Sequence, residues 1–207
     1  MTIEDFGAGV ASVWQGLRPS TRSLVERALT VTPPPGVASA RGDSSYDPRS
    51  EWELSRLLAA LDERAADKGA KNLSAEVSRE LRRVAETCAA VLHSEARSAE
   101  VFAQLLERAL RSRDYARVDT LADAMSGRLA PSELCELARN PNPSVRALAQ
   151  EALLQLPTGA LVSLLGDPID AETARSALES QADEYESEEA RLIVNVLDQA
   201  DDAEDDL

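Results

Sequence analysis

Few residues in this 207-residue chain are suited to covalent or acid–base chemistry. It has one histidine, His93, and two cysteines, Cys88 and Cys135. His93 falls near the end of a predicted helix with no cysteine nearby, where a positive side chain complements the helix dipole, so it reads as a surface or capping group. Any Ser/His/Asp triad would have to be built around it. The cysteines form no CxxC or Cys/His spacing and each lies within a helical apolar pattern, which predicts buried structural thiols. The sequence contains no Walker loop, GxGxxG or HExxH. Carboxylates abound, but pairs such as Glu188 and Glu189 stand in acid-rich, wet surroundings, whereas a general acid needs a desolvated carboxyl with a raised pKa. The run DDAEDDL lacks the spacing of a calcium loop. No cofactor or metal site is expected, and an enzyme is disfavoured.

Arginine provides the densest positive charge. Arg108, Arg111, Arg113 and Arg117 gather where one predicted helix ends and the next begins. Cations there complement the helix dipole, which is the structural reading; the functional one is a patch for an anion or an acidic partner. Arg79, Arg82 and Arg83 form a second group that Glu76, Glu80 and Glu86 can pair with at helical spacing. Neither group has the basic surplus or the aromatic platforms of a nucleic-acid footprint. Trp52 lies roughly 160° from the centre of its helix's apolar stripe at 100° per residue, so it is either exposed or covered by another segment. Trp52 and the four arginines are the candidate partner-binding residues.

The formal net charge of −15 is unevenly spread. Eleven acids and a single base, Arg191, fall between Asp183 and Leu207, so this region carries −10 and everything before it only −5. The opening MTIEDFGAGV is acidic where a secretion signal would be basic, and no apolar run reaches the length of a membrane span. A cytoplasmic protein with no membrane partner is expected.

The elements that must position these residues are helices. The chain is rich in Ala, Leu, Arg and Glu, only 3% of it is aromatic, and β-branched residues are sparse, a composition that loses little entropy in a helix. Residues 1–30 read as a helical hairpin: Ile3, Phe6, Val10, Val13, Trp14 and Leu17 in one helix, weakened by Gly7 and Gly9, then Leu24, Val25, Ala28 and Leu29 in another. Residues 31–46, VTPPPGVASARGDSSY, read as a linker; the RGD at Arg41 to Asp43 is too short a match to signify adhesion. Residues 47–200 read as a helical repeat domain with helix starts near Asp47, Asn72 or Ser74, Ser98, Asp114, Pro131, Asn142, Thr158, Asp170 and Ser187. Residues 201–207 read as a disordered acidic tail.

The clearest stripe in the chain is Val145, Leu148, Ala149, Ala152, Leu153 and Leu156, following the Asn142 cap and Pro143 at the first helical position. With its Asn142-Pro143 opening, its Val145-Arg146 pair and the apolar Ala149, Ala152 and Leu153, this stretch resembles the second helix of a HEAT-type repeat. An echo follows 29 residues later at Ala174, Arg175 and Leu178. The resemblance spans about residues 131–182. It implies an all-α fold of antiparallel helical pairs stacked as a short α-solenoid, with an irregular helical bundle as the alternative. It also implies that Arg146 and Arg175 bond an acidic residue or carbonyl in the neighbouring repeat, and that the surface serves a protein partner. A non-enzymatic adaptor is therefore expected; the alternatives are a small-molecule or pigment-handling protein with a groove near Trp52, and, less favoured, a nucleic-acid binder.

Overall fold

Side-chain caps set the starts of five helices. In the computed structural model, which describes residues 2–30, 47–67 and 73–205, a 3-10 turn at Ile3–Phe6 is followed by eleven α-helices among those residues: α1 (Ala8–Gly16), α2 (Pro19–Thr30), α3 (Pro48–Ala66), α4 (Ala75–Glu95), α5 (Ala99–Ser112), α6 (Tyr115–Arg128), α7 (Pro131–Ala138), α8 (Pro143–Leu154), α9 (Thr158–Val162), α10 (Ala171–Asp183) and α11 (Glu188–Asp205). Asp47 accepts the Arg49 N–H at 3.0 Å, Ser74 that of Val77 at 3.2 Å, Asp114 that of Arg117 at 3.2 Å and Asn142 that of Ser144 at 3.1 Å. Ser187 caps α11 through the Ala190 N–H at 3.3 Å. Each satisfies a first-turn donor that a helix leaves without an internal partner. The linker at 31–46 and the chain around Lys68, Gly69 and Lys71 lie outside the described residues.

The expected first helix is broken at Gly7. That residue takes φ +130°, which an L side chain rarely adopts, and a Cβ there would stand 3.2 Å from Arg64 Nε. Arg64 needs the room because its Nε donates to the Phe6 carbonyl at 2.7 Å. Helix α9 is also shorter than its apolar spacing predicts: it ends at Val162, and turns occupy residues 163–170. At the C-terminus the backbone of 201–205 continues α11, where a disordered tail is expected.

The chain divides into two compact units, Met1–Ala96 and Arg97–Leu207. The N-terminal hairpin of residues 1–30 belongs to the first unit, together with α3 and α4. There, α3 packs on α4 and on α1, and α2 touches both α3 and α4. Phe6, Val10, Trp14, Leu54, Leu57, Leu58, Leu61, Leu81, Val84 and Leu92 form its core. The apolar faces of the hairpin and of α3 are thus buried on each other, which offsets the entropy of holding the hairpin in place.

In the second unit, α5 pairs with α6, α7 with α8 and α10 with α11, while α6, α8 and α10 form one row and α5 and α7 another. The short connections make the partners within a pair antiparallel. The fold is therefore all-α, a stack in which each pair covers its predecessor. Val145, Ala149 and Leu161 are fully buried, Ala152, Leu153, Ala174 and Leu178 nearly or fully so. Small side chains at Ala149, Ala152 and Ala174 let α8 approach its neighbours closely. Replacing Ala149 by Glu would place a charge where no water reaches. The expected loss is about 3 kcal/mol or more, read as a fall in urea midpoint; an unchanged midpoint and helicity would show that this face is not the core.

Candidate functional site

A buried carboxylate is the first place to look for acid–base chemistry, and in the first unit the more buried of two such groups on α3, Glu51 and Glu53, is Glu53, 4% exposed. Its oxygens are crowded with donors. Arg18 donates from Nε at 3.0 Å and from its backbone N at 3.3 Å, the Thr21 hydroxyl donates to Oε2, and Arg49 Nε lies 3.5 Å away. Arg18 also reaches Asp47 at 2.7 Å and Ser50 at 3.1 Å. Burial by itself would raise the Glu53 pKa; the Thr21 hydroxyl and the Arg18 donors outweigh it, and the net shift is downward. A general acid needs the opposite. This cluster is a clamp fastening the start of α2 to α3, and one the local sequence pattern does not reveal, because Arg18 and Glu53 are 35 positions apart.

Trp52 lies on the same helix and faces away from the clamp. Seven residues of α3 are buried, and between Arg49 and Glu63 the exposed ones fall on a narrow strip of Arg49, Trp52, Arg56, Ala59 and Glu63. Trp52 is 47% exposed, with the Arg56 guanidinium over its ring, 4.8 Å from the centroid. Between exposure and cover by another segment, the structure selects exposure. The arginines beside it are not apparent from an apolar-stripe search, although their spacing of three and four from Trp52 on a helix signals them.

In the second unit, the four arginines surround the α5–α6 corner but do not converge on one point. Arg111 faces Glu107 at 3.8 Å and Arg117 faces Asp114 at 3.5 Å. Arg113 occupies the left-handed conformation, φ 58°, that ends α5, and Tyr115 beside it is 63% exposed. Arg108 stays half-buried on α5. Pairs this exposed contribute little stability, and two acids among four arginines dilute any anion site. The repeat arginines bond within their own helical pairs and not to a neighbouring repeat: Arg146 donates to the carbonyls of Asn140 at 2.9 Å and Pro141 at 3.0 Å, and Arg175 binds Glu179 at 3.1 Å and Asp198 of α11 at 2.5 Å.

Two sites expected to cap helices do something else. No side-chain cap comes from Ser98; the Ala99 N–H donates to the carboxylate of Glu133 on α7. Asp170, 3% exposed, pairs with Arg139 at 2.8 Å instead of capping α10. Gln181 donates to the carbonyl of Leu154, the last residue of α8, at 3.0 Å and to that of Leu156 just beyond it at 2.8 Å. It stands at an open cavity of about 410 Å³ lined by Thr158, Tyr185 and Glu189 among others. This opening belongs to the second unit, not to the surroundings of Trp52.

Outward on α11, Leu192 and Val196 are 68% and 65% exposed. Neither belongs to the stripe of Ala190, Ile193, Val194 and Leu197 that the sequence assigns to this helix, and being apolar residues left off that stripe was their one signal. Among the described residues no group of three or more His, Cys, Asp or Glu is placed to hold a metal ion, and no helix is long and apolar enough to cross a membrane. Comparisons with family models, curated proteins and solved structures returned no match.

Both thiols are buried, and burial, reinforced by the Asp170 carboxylate, pushes Cys135 up to about 11. The native protein at pH 8 should therefore resist alkylation at Cys135 and react only once urea opens the second unit; rapid native labelling, read by mass spectrometry, would contradict this. The clamp has its own acid signature. Arg18 and Ser50 hold Asp47 at about 2, against an ordinary 3.8. A carboxylate with a depressed folded pKa adds stability that is present above the unfolded value and lost as pH falls toward the folded one. The first unit should thus weaken between about pH 4 and pH 2, and Asp47→Asn should flatten that slope in urea titrations at a series of pH values.

Proposed function

We propose that this chain is a non-enzymatic protein-interaction scaffold whose second unit is a HEAT-like stack of helical pairs. The observation that carries the reading is the exposed strip of α3: an indole held open to solvent on a helix whose other side is buried, with an arginine stacked on it. Tryptophan and arginine are the side chains that most often dominate protein interfaces, because each offers a large contact area or a planar donor fork at modest entropic cost. Trp52 sits in a rigid position, so little ordering is needed on binding. For the HEAT-like part, support comes from the paired rows of α5 to α8 and α10. The Glu53 cluster speaks against acid–base catalysis, since donors saturate its carboxylate.

A photo-crosslinking residue at Ala59, about two turns beyond Trp52 on the same strip, tests this in the intact chain within its native cell. Irradiation should yield a discrete protein adduct, and Trp52→Ala/Arg56→Ala should lower its yield at least about tenfold, as hot-spot truncations do. Absence of any adduct, or an adduct indifferent to both substitutions, overturns the assignment of the strip.

A further inference from the structure

We infer that the outward face of α11 docks a cationic amphipathic helix of a partner protein, an assignment that rests on the scaffold reading and adds to it a second contact surface and the chemistry of its ligand. Helix α11 is apolar on two sides. On the inner side Ala190 is fully buried and Ile193, Val194 and Leu197 are half-buried, so this side closes the stack on α10. On the outer side Leu192 and Val196, four residues apart, project as one ridge, 68% and 65% exposed. Single exposed aliphatics are ordinary on a protein surface. A pair one turn apart on a helix whose other face is already used is the pattern by which a further helix is seated, at spacings of three and four.

Charge selects the occupant. Along Glu188–Asp205 the sequence carries seven acids against one base, Arg191, and that base is turned away, its Nη2 donating to the Ala182 carbonyl at 3.1 Å. Of the acids, Asp198 is engaged by Arg175 at 2.5 Å, while Glu188 and Glu189 stand exposed at the start of the ridge. A second copy laid on this face would bring together two segments of like net charge, seven acids and one base in each. A helix with Lys or Arg flanking a leucine-like stripe finds apolar contact along the ridge and opposite charge at the exposed Glu188 and Glu189, and electrostatic complementarity of this kind speeds encounter and rejects like-charged competitors.

The experiment titrates the full chain into a fluorescein-labelled Leu/Lys amphipathic peptide and follows anisotropy, beside a Leu/Glu peptide of the same pattern and a Leu/Lys peptide of scrambled order. Saturable one-to-one binding of the first alone is expected, weakening several-fold as salt screens the acids and about tenfold in Leu192→Ser/Val196→Ser. Both substituted positions are exposed, so circular dichroism should be unchanged; should it change, Glu188→Gln/Glu189→Gln provides the second variant, with a several-fold loss expected from charge alone. Binding indifferent to both variants, equal binding of either companion peptide, or no binding overturns the proposal. So does a concentration-dependent dimer that Leu192→Ser/Val196→Ser abolishes, since the occupant would then be a second copy. If the peptide fails while the Trp52-dependent adduct forms, the α11 assignment falls and the scaffold reading stands; loss of the adduct alone removes the Trp52 strip and leaves the titration to decide α11.

Discussion

Short helices cannot stand alone in water. At eight to fourteen residues, α5 to α8 fall near or below the length at which even a good helix former is marginal in isolation. Their stability has to come from burying an apolar stripe against a neighbour, and each neighbour has a stripe of its own to bury. The second unit answers that constraint by stacking pair on pair, with fully buried Ala149 and Val145 at the centre of the contact. Alanine matters here for what it lacks: with no side chain beyond Cβ it lets backbones approach, and the larger Leu153 and Leu178 fill the space alongside.

The same stacking creates a second problem at helix ends, where backbone groups are left without internal partners. The second unit solves it across pairs. The start of α5 is satisfied by Glu133 of α7, the end of α8 by Gln181 of α10, and Arg139 just past α7 binds Asp170 just before α10. A buried donor or acceptor left open costs about 1–3 kcal/mol, more than a made bond contributes. These links therefore fix which pair sits on which, as apolar contact alone would not. In the first unit the Arg18–Glu53–Asp47 clamp has the corresponding role, tying the N-terminal hairpin to α3 across the segment 31–46.

Once cores and helix ends are accounted for, what is left over is informative. Trp52 and the Leu192–Val196 pair are apolar residues that neither core uses, and each is accompanied by charge: arginine beside the tryptophan, carboxylates beside the aliphatic ridge. Such mixed surfaces suit partners that must bind and also be told apart from competitors. The α5–α6 arginines differ, because acids of the same turn face two of them and the helix end itself attracts them.

The amino-acid sequence by itself determined the helical class, most helix starts and the buried stripe from Val145 to Leu156, because caps and apolar spacing act over three or four residues and are written locally. It also placed Trp52 off its stripe. Only the tertiary structure decided that residues 1–30 belong to the first unit, that Gly7 splits the first helix to admit Arg64, that Asp170 serves Arg139 instead of a cap, and that α11 continues to Asp205. It also decided that Leu192 and Val196 face outward. The physical reason is the same in each case: partners thirty or more positions apart in the chain, or the presence or absence of a neighbouring helix, determine the outcome, and neither leaves a periodic trace in the sequence.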